Sequence, residues 1–79
     1  MRSEGSKSIE IMARVCRAYQ TTPEMLRSYR RSNKLNAARR EFIRLADAQN
    51  WSTTVIGRLL NRDHSTVCYH LERLRREEV

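Results

Sequence analysis

The chain has few of the residues that build tight turns, covalent cross-links and membrane spans. Its 79 residues include 2 glycines, 1 proline and 2 cysteines. This scarcity argues against an all-β domain with many hairpins and against a disulfide scaffold. No apolar run approaches the roughly 20 residues that span a bilayer, and residues 1–8 lack the apolar segment of a signal peptide. We therefore expect a small cytoplasmic protein with reduced thiols.

Basic charge is the property that the sequence has in excess. Its 16 lysines and arginines outnumber 9 acidic residues, which gives a formal net charge of +7. Residues 27–44 hold seven basic residues and one acid, a net charge of +6, and 14 of the basic residues in the chain are arginines. The planar guanidinium suits phosphate and guanine better than an ammonium group does. The charge therefore predicts a patch that binds a polyanion.

Apolar spacing predicts an all-α fold, a small helical bundle. We expect residues 1–8 to form a flexible leader and residues 9–79 to form the domain. Helical periodicity begins at Ile9, and the order Thr22-Pro23 is typical of a second helix start. A long helix follows the basic stretch at residues 27–34, with Phe42 on its apolar side and Arg39, Arg40 and Arg44 on the other. Cys16 and Cys68 both fall in apolar-periodic stretches, which predicts two core thiols.

The last third of the chain has the pattern of a helix-turn-helix. Ser52 is a good cap for a helix of about two turns, and Asn61 and Arg62 form a tight connection. Asp63 can cap a final helix whose inner stripe includes Val67 and Leu71. A short helix, a short turn and a longer helix are the parts of this DNA-binding motif.

Residues 63–66, which we name the recognition segment, carry four polar side chains at the start of the last helix. Asp63 can accept from the amino group of cytosine, and His64 can donate to or accept from a base edge. Ser65 and Thr66 can bond to base or phosphate, and the Thr66 methyl group can contact thymine. At the first turn of a recognition helix these groups face nucleic acid.

The sequence NRDHSTV at residues 61–67 resembles the GRDHTTV signature of the C-terminal DNA-binding domain of the bacterial replication initiator DnaA. Upstream, YRRS at residues 29–32 resembles the KRRS stretch of that domain. The helix that runs through AARR at residues 37–40 resembles its arginine-containing long helix. The similarity extends over most of the chain, from about Ile9 to Arg73, and five of the seven positions of the signature are identical.

The resemblance implies a role in DNA binding for particular residues. Arg31 matches the arginine that enters the minor groove, and Arg39 matches one that approaches the DNA backbone. The major-groove readers match Asp63, His64 and Ser65. The family target is a nine-base box of the TTATNCACA type. With the basic stretch, the predicted DNA-binding residues are Arg30, Arg31, Lys34, Arg39, Arg40, Ser52, Thr53, Thr54, Arg62, Asp63, His64, Ser65, Thr66 and Tyr69.

The chain also departs from the family pattern. Asn61 replaces the signature glycine, and asparagine tolerates positive φ. Ser65 replaces a threonine and loses a methyl group, while Arg40 replaces a commoner glutamine. No GxxxxGK[ST] loop is present, so ATP binding by that route is not expected. We expect no cofactor, no small-molecule substrate and no enzymatic activity.

These observations favour a monomeric, nucleoid-associated protein that binds duplex DNA in a sequence-specific way. It would act as a small regulator of replication or transcription encoded by a bacterium or a phage, or as one domain of a longer protein. The alternative is a basic amphipathic protein that binds an acidic partner or an anionic membrane surface through Phe42, Leu45 and the arginines opposite them. A metal site at His64, Cys68 and His70 is disfavoured because the third residue lies about 200° from the second around the helix.

Overall fold

Five helices and no strand make up the part of the chain that the computed structural model describes, which is residues 3–78 and the side chains of residues 7–77. This confirms the predicted all-α bundle. No helix in this part is long and apolar enough to cross a membrane. The helices are α1 (Ser3–Tyr19), α2 (Pro23–Arg27), α3 (Asn33–Ala48), α4 (Thr53–Leu60) and α5 (His64–Glu78).

Helix α1 begins earlier than the apolar spacing predicts. It starts at Ser3, so residues 3–8 of the predicted leader are helical, while Met1 and Arg2 lie outside the described residues. The apolar residues Ile11, Met12, Val15 and Cys16 are buried, and the helix packs against α3. Ile9, where the predicted periodicity begins, is 72% exposed. Which part of an apolar face becomes buried depends on the neighbouring helix that packs against it.

Side-chain caps mark the starts of three helices. The hydroxyl oxygens of Thr22, Ser32 and Ser52 each accept a hydrogen bond, 3.0–3.2 Å long, from the backbone N–H three residues later. These bonds satisfy helix N–H groups that have no partner within the helix. The caps predicted at Thr22 and Ser52 are thereby confirmed. The third cap, at Ser32, sets the start of α3 within the basic stretch.

The turn between α4 and α5 depends on two residues with unusual backbone requirements. Asn61 ends α4 in the left-handed region, at φ 58° and ψ 46°, as expected of the residue that replaces a signature glycine. The Arg62 N–H donates to the Gly57 carbonyl oxygen over 2.7 Å. A Cβ atom on Gly57 would lie 2.6 Å from the Arg62 carbonyl oxygen. Glycine is therefore required for this close approach of turn and helix.

Helix α3 is the centre of the core and contacts every other helix. Phe42 is fully buried on it. Cys16 is buried as predicted, and burial raises the pKa of its thiol. Cys68 is exposed, contrary to prediction, because Val67 and Leu71 fill the inner stripe of α5. The buried apolar side chains are Ile11, Met12, Val15, Cys16, Leu26, Leu35, Ala38, Phe42, Ile43, Ala46, Ile56, Leu60, Val67 and Leu71.

His70 lies half-buried on α5 in strongly positive surroundings. Its Nδ1 atom is buried and has no hydrogen-bond partner among the described residues. Burial, followed by the charges of Arg40, Arg73, Arg39 and Arg62, lowers the pKa of His70. The folded protein therefore favours the neutral imidazole more than the unfolded chain does.

We expect acid to destabilise the fold through His70. The lowered pKa means that the unfolded chain binds the proton more readily than the folded protein does. The free energy of unfolding therefore has its full value above about pH 6.5 and decreases as the pH falls below 6.5. Urea unfolding at pH 7.5 and 5.5 should show this decrease, with a slope no steeper than about 1.4 kcal/mol per pH unit. His70→Phe should remove most of it, and His64→Phe, the same change at an exposed position, should retain it. An unchanged pH dependence in His70→Phe would contradict the prediction.

Candidate nucleic-acid interface

The loop at residues 28–32, which we name the basic loop, is held in place by Arg39. This side chain is only 5% exposed. Its guanidinium donates to the carbonyl oxygens of Leu26, Met25 and Ser28 over 2.9, 3.1 and 3.0 Å. The prediction that Arg39 lies on the outer side of α3 is therefore wrong. The carbonyl groups at the end of α2 need donors, and an arginine on the neighbouring helix supplies them.

A second arginine joins the basic loop to the helix-turn-helix. Arg62, in the turn before α5, donates to the carbonyl oxygens of Ser28 over 2.5 Å and of Arg27 over 3.4 Å. Its guanidinium carbon also lies 5.3 Å from the ring centroid of Tyr29. The guanidinium of Arg62 is thus committed to the protein itself. We name Arg39 and Arg62 the arginine anchors.

The basic loop presents its remaining positive charge to solvent. The guanidinium groups of Arg30 and Arg31 are exposed and have no partner in the part of the chain that the structure describes. Lys34 follows on the first turn of α3 and donates to the Gln20 carbonyl oxygen over 3.2 Å. With Thr21 and neighbouring residues, these three basic side chains line an open hollow of about 440 Å³. This hollow is suited to an anionic group such as a phosphate.

The other basic residues of the predicted patch lie apart from this hollow or are paired. Arg44 forms an ion pair with Glu41 at 2.6 Å, and Arg40 lies 3.9 Å from Glu77 near the end of α5. At 1.5 Å per helical residue, Glu77 is about 20 Å from His64. The predicted patch at residues 27–44 is therefore reduced by the burial of Arg39 and by the acidic neighbours of Arg40 and Arg44. Arg30 and Arg31 are the members of the patch whose guanidinium groups have no partner among the described residues.

The recognition segment begins α5 with its polar groups exposed. The main-chain carbonyl of Asp63 accepts from the Thr66 N–H over 3.1 Å and starts the helix. The Asp63 carboxylate has no partner among the described residues, so the side-chain cap expected there is not formed. The main-chain N–H groups of His64 and Ser65 are equally unpartnered in that part of the chain. An exposed carboxylate, an imidazole, a hydroxyl and free N–H groups therefore meet at one helix end.

On one side, the recognition segment borders the start of α4 across an open groove of about 700 Å³. Ser52 and Thr53 line this groove together with His64 and Ser65. Tyr69 continues the wall of the groove one turn further along α5, and this residue is 56% exposed. Thr54 is exposed as well, although it does not line the groove.

On the other side, the recognition segment faces the basic loop across a hollow of about 410 Å³. Tyr29 of the loop and Arg58 of α4 share this hollow with Asp63 and Thr66. Neither Tyr29 nor Arg58 was among the predicted site residues. An aromatic residue within a basic stretch was the available signal for Tyr29, and no pattern marked Arg58.

The comparison with family models supports the resemblance seen in the motifs. A model described as the bacterial DnaA protein helix-turn-helix matches residues 9–74. The match includes all five helices at least in part, and it contains the basic loop and the recognition segment. Comparisons with curated proteins and with solved structures gave no match.

We expect Arg39→Lys to destabilise the fold. A lysine cannot supply the planar set of donors, so carbonyl groups at the end of α2 lose their partners at a cost of about 1–3 kcal/mol. Urea unfolding of Arg39→Lys should show this loss, and Arg30→Lys, the same change at an exposed position, should unfold like the wild type. Wild-type stability in Arg39→Lys would show that the anchoring bonds contribute little.

Proposed function

Because the chain belongs to the bacterial DnaA helix-turn-helix family, which binds DNA, we propose that it recognises duplex DNA at DnaA-box-like sequences. The recognition segment enters the major groove, and the basic loop lies against the minor groove and the phosphates. The observation that carries this proposal is the set of unpartnered polar groups at the start of α5. These groups are exposed, so their donors and acceptors are open to hydrogen bonds from base edges and phosphates.

Each group of the recognition segment fits a base-reading role. The Asp63 carboxylate accepts from the cytosine amino group, and His64 and Ser65 bond to base edges. The half-buried Thr66 places its hydroxyl or methyl group beside them. The positive end of the α5 dipole and its free N–H groups attract the phosphates at the groove edge. Tyr69 extends this contact surface along the groove.

Some of the remaining predicted residues contact the DNA backbone, and the others hold the parts of the protein that do so. Arg30, Arg31 and Lys34 bind the backbone, with Arg31 in the minor groove, where a narrow groove attracts arginine. At the start of α4, the half-buried Thr53 and the exposed Thr54 lie near a phosphate, while the Ser52 hydroxyl is already used as a cap. Arg39 and Arg62 act indirectly, because their guanidinium groups hold the basic loop.

The amphipathic-surface alternative is less well supported. It needs the apolar side of α3 to face a membrane or a partner protein, yet Phe42 is completely buried and Leu45 packs against the core. We propose instead that the chain occupies or masks DNA sites as a monomeric, nucleoid-associated regulator of replication or transcription. Its family membership supports DNA binding without pointing to an enzymatic activity.

Fluorescence anisotropy with two duplexes tests the proposal directly. A duplex with a TTATNCACA-type box should bind at least 10³-fold more tightly than a scrambled one at physiological salt. If about five phosphates are neutralised, affinity should fall several hundredfold between 50 and 200 mM salt. Equal affinity for the two duplexes would contradict sequence-specific recognition.

Two substitutions separate base reading from backbone attraction. His64→Ala should cost about 1–3 kcal/mol on the box duplex and much less on the scrambled duplex. Arg31→Ala should weaken binding and lower the salt slope by about one phosphate-equivalent or less. Arg76→Ala removes an exposed arginine at the far end of α5 and serves as the control. Equal losses on both duplexes would remove His64 from the base-reading set.

A further inference from the structure

Tyr29 is the most exposed aromatic residue of the described chain, and it is nevertheless held in place. The residue is 80% exposed. The guanidinium of Arg62 lies over one face at 5.3 Å from the ring centroid, within the range of a cation–π contact. A ring that stays in water adds no hydrophobic stabilisation to the fold. Exposure of a fixed ring therefore suggests a partner that covers it.

The support beneath the ring is rigid. Arg62 donates to the carbonyl oxygens of Ser28 and Arg27, so its guanidinium is held on the residue next to Tyr29. The Ser28 carbonyl is also bonded by the buried Arg39. Little conformational freedom of the loop backbone remains to be lost when the ring is covered, and this favours binding.

Tyr29 stands between the two parts of the proposed interface. Arg31 follows two residues later in the basic loop, and the start of α5 with Asp63 and Thr66 faces Tyr29 across the hollow of about 410 Å³. In the proposed complex, α5 occupies the major groove and Arg31 the minor groove. The sugar–phosphate strand that separates these grooves must cross the protein between them, at the position of Tyr29.

We propose that Tyr29 packs its ring against a deoxyribose of this strand and donates its hydroxyl to the adjacent phosphate. This inference rests on the proposed function and adds one residue to it. Hydroxyl donors of tyrosine commonly bind phosphates, and such contacts position a protein on DNA without reading the sequence. The exposed Arg58 on the opposite wall of the hollow draws the same phosphate toward the ring. Tyr29 thereby fixes the position of the DNA relative to the recognition segment and the basic loop.

The test compares Tyr29→Phe and Tyr29→Ala with the wild type on the box and scrambled duplexes. Because the contact is to the backbone, Tyr29→Ala should weaken binding to both duplexes by a similar factor of about 10. Tyr29→Phe keeps the ring and should lose about threefold. The salt slope should stay unchanged, because tyrosine carries no charge. Ile9→Ala, which truncates an exposed side chain on α1, should bind like the wild type.

A second measurement identifies the contacted phosphate. Single methylphosphonate substitutions along both strands replace one charged phosphate at a time, and at one position the wild type and Tyr29→Phe should bind equally. Thermal melting of the variants shows whether they remain folded. Wild-type affinity in Tyr29→Ala, or a loss confined to the box duplex, overturns the inference. Failure of the wild type to bind either duplex overturns the proposed function and this inference with it.

Discussion

The fold of the interface depends on hydrogen bonds from two arginines to the carbonyl groups at the end of α2. A five-residue helix leaves nearly all of its carbonyl oxygens without intrahelical partners. Arg39 reaches them from α3, and Arg62 reaches them from the turn before α5. These bonds connect three elements that are distant in sequence. The basic loop and the recognition segment are consequently parts of one rigid surface, although more than thirty residues separate them along the chain.

The function of each arginine follows from its neighbours more than from its position in a basic stretch. Arg39 is surrounded by main-chain acceptors and becomes structural, while Arg44 pairs with Glu41 one helical turn away. Arg30 and Arg31 lie in a loop where no acceptor is within reach among the described residues. The formal net charge is therefore larger than the number of basic groups that remain available to contact a ligand. Attraction at long range reflects the whole chain, whereas contact at short range depends on the few guanidinium groups that remain free.

Features that depend on local sequence were predictable. The caps at Thr22 and Ser52 and the left-handed conformation at Asn61 follow from residue type and position within a few residues. The exposure of Ile9 and the burial of Arg39 were not predictable, because each depends on which neighbouring helix packs against it. At the site, the motif located the recognition segment and Arg31. It did not indicate Tyr29, whose role as a fixed surface depends on an arginine from a distant turn.

The free polar groups at the start of α5 have a consequence for how stability and binding are related. A carboxylate that does not cap its helix forgoes up to about 1 kcal/mol of stabilisation. The fold retains this unsatisfied end because the core around Phe42 and the arginine anchors hold α5 without it. Substitutions in the recognition segment should therefore alter binding with little effect on folding, whereas substitutions at the anchors should weaken folding and, through the basic loop that they hold, binding as well. This separation allows the bases that the segment reads to change while the scaffold that presents it stays the same.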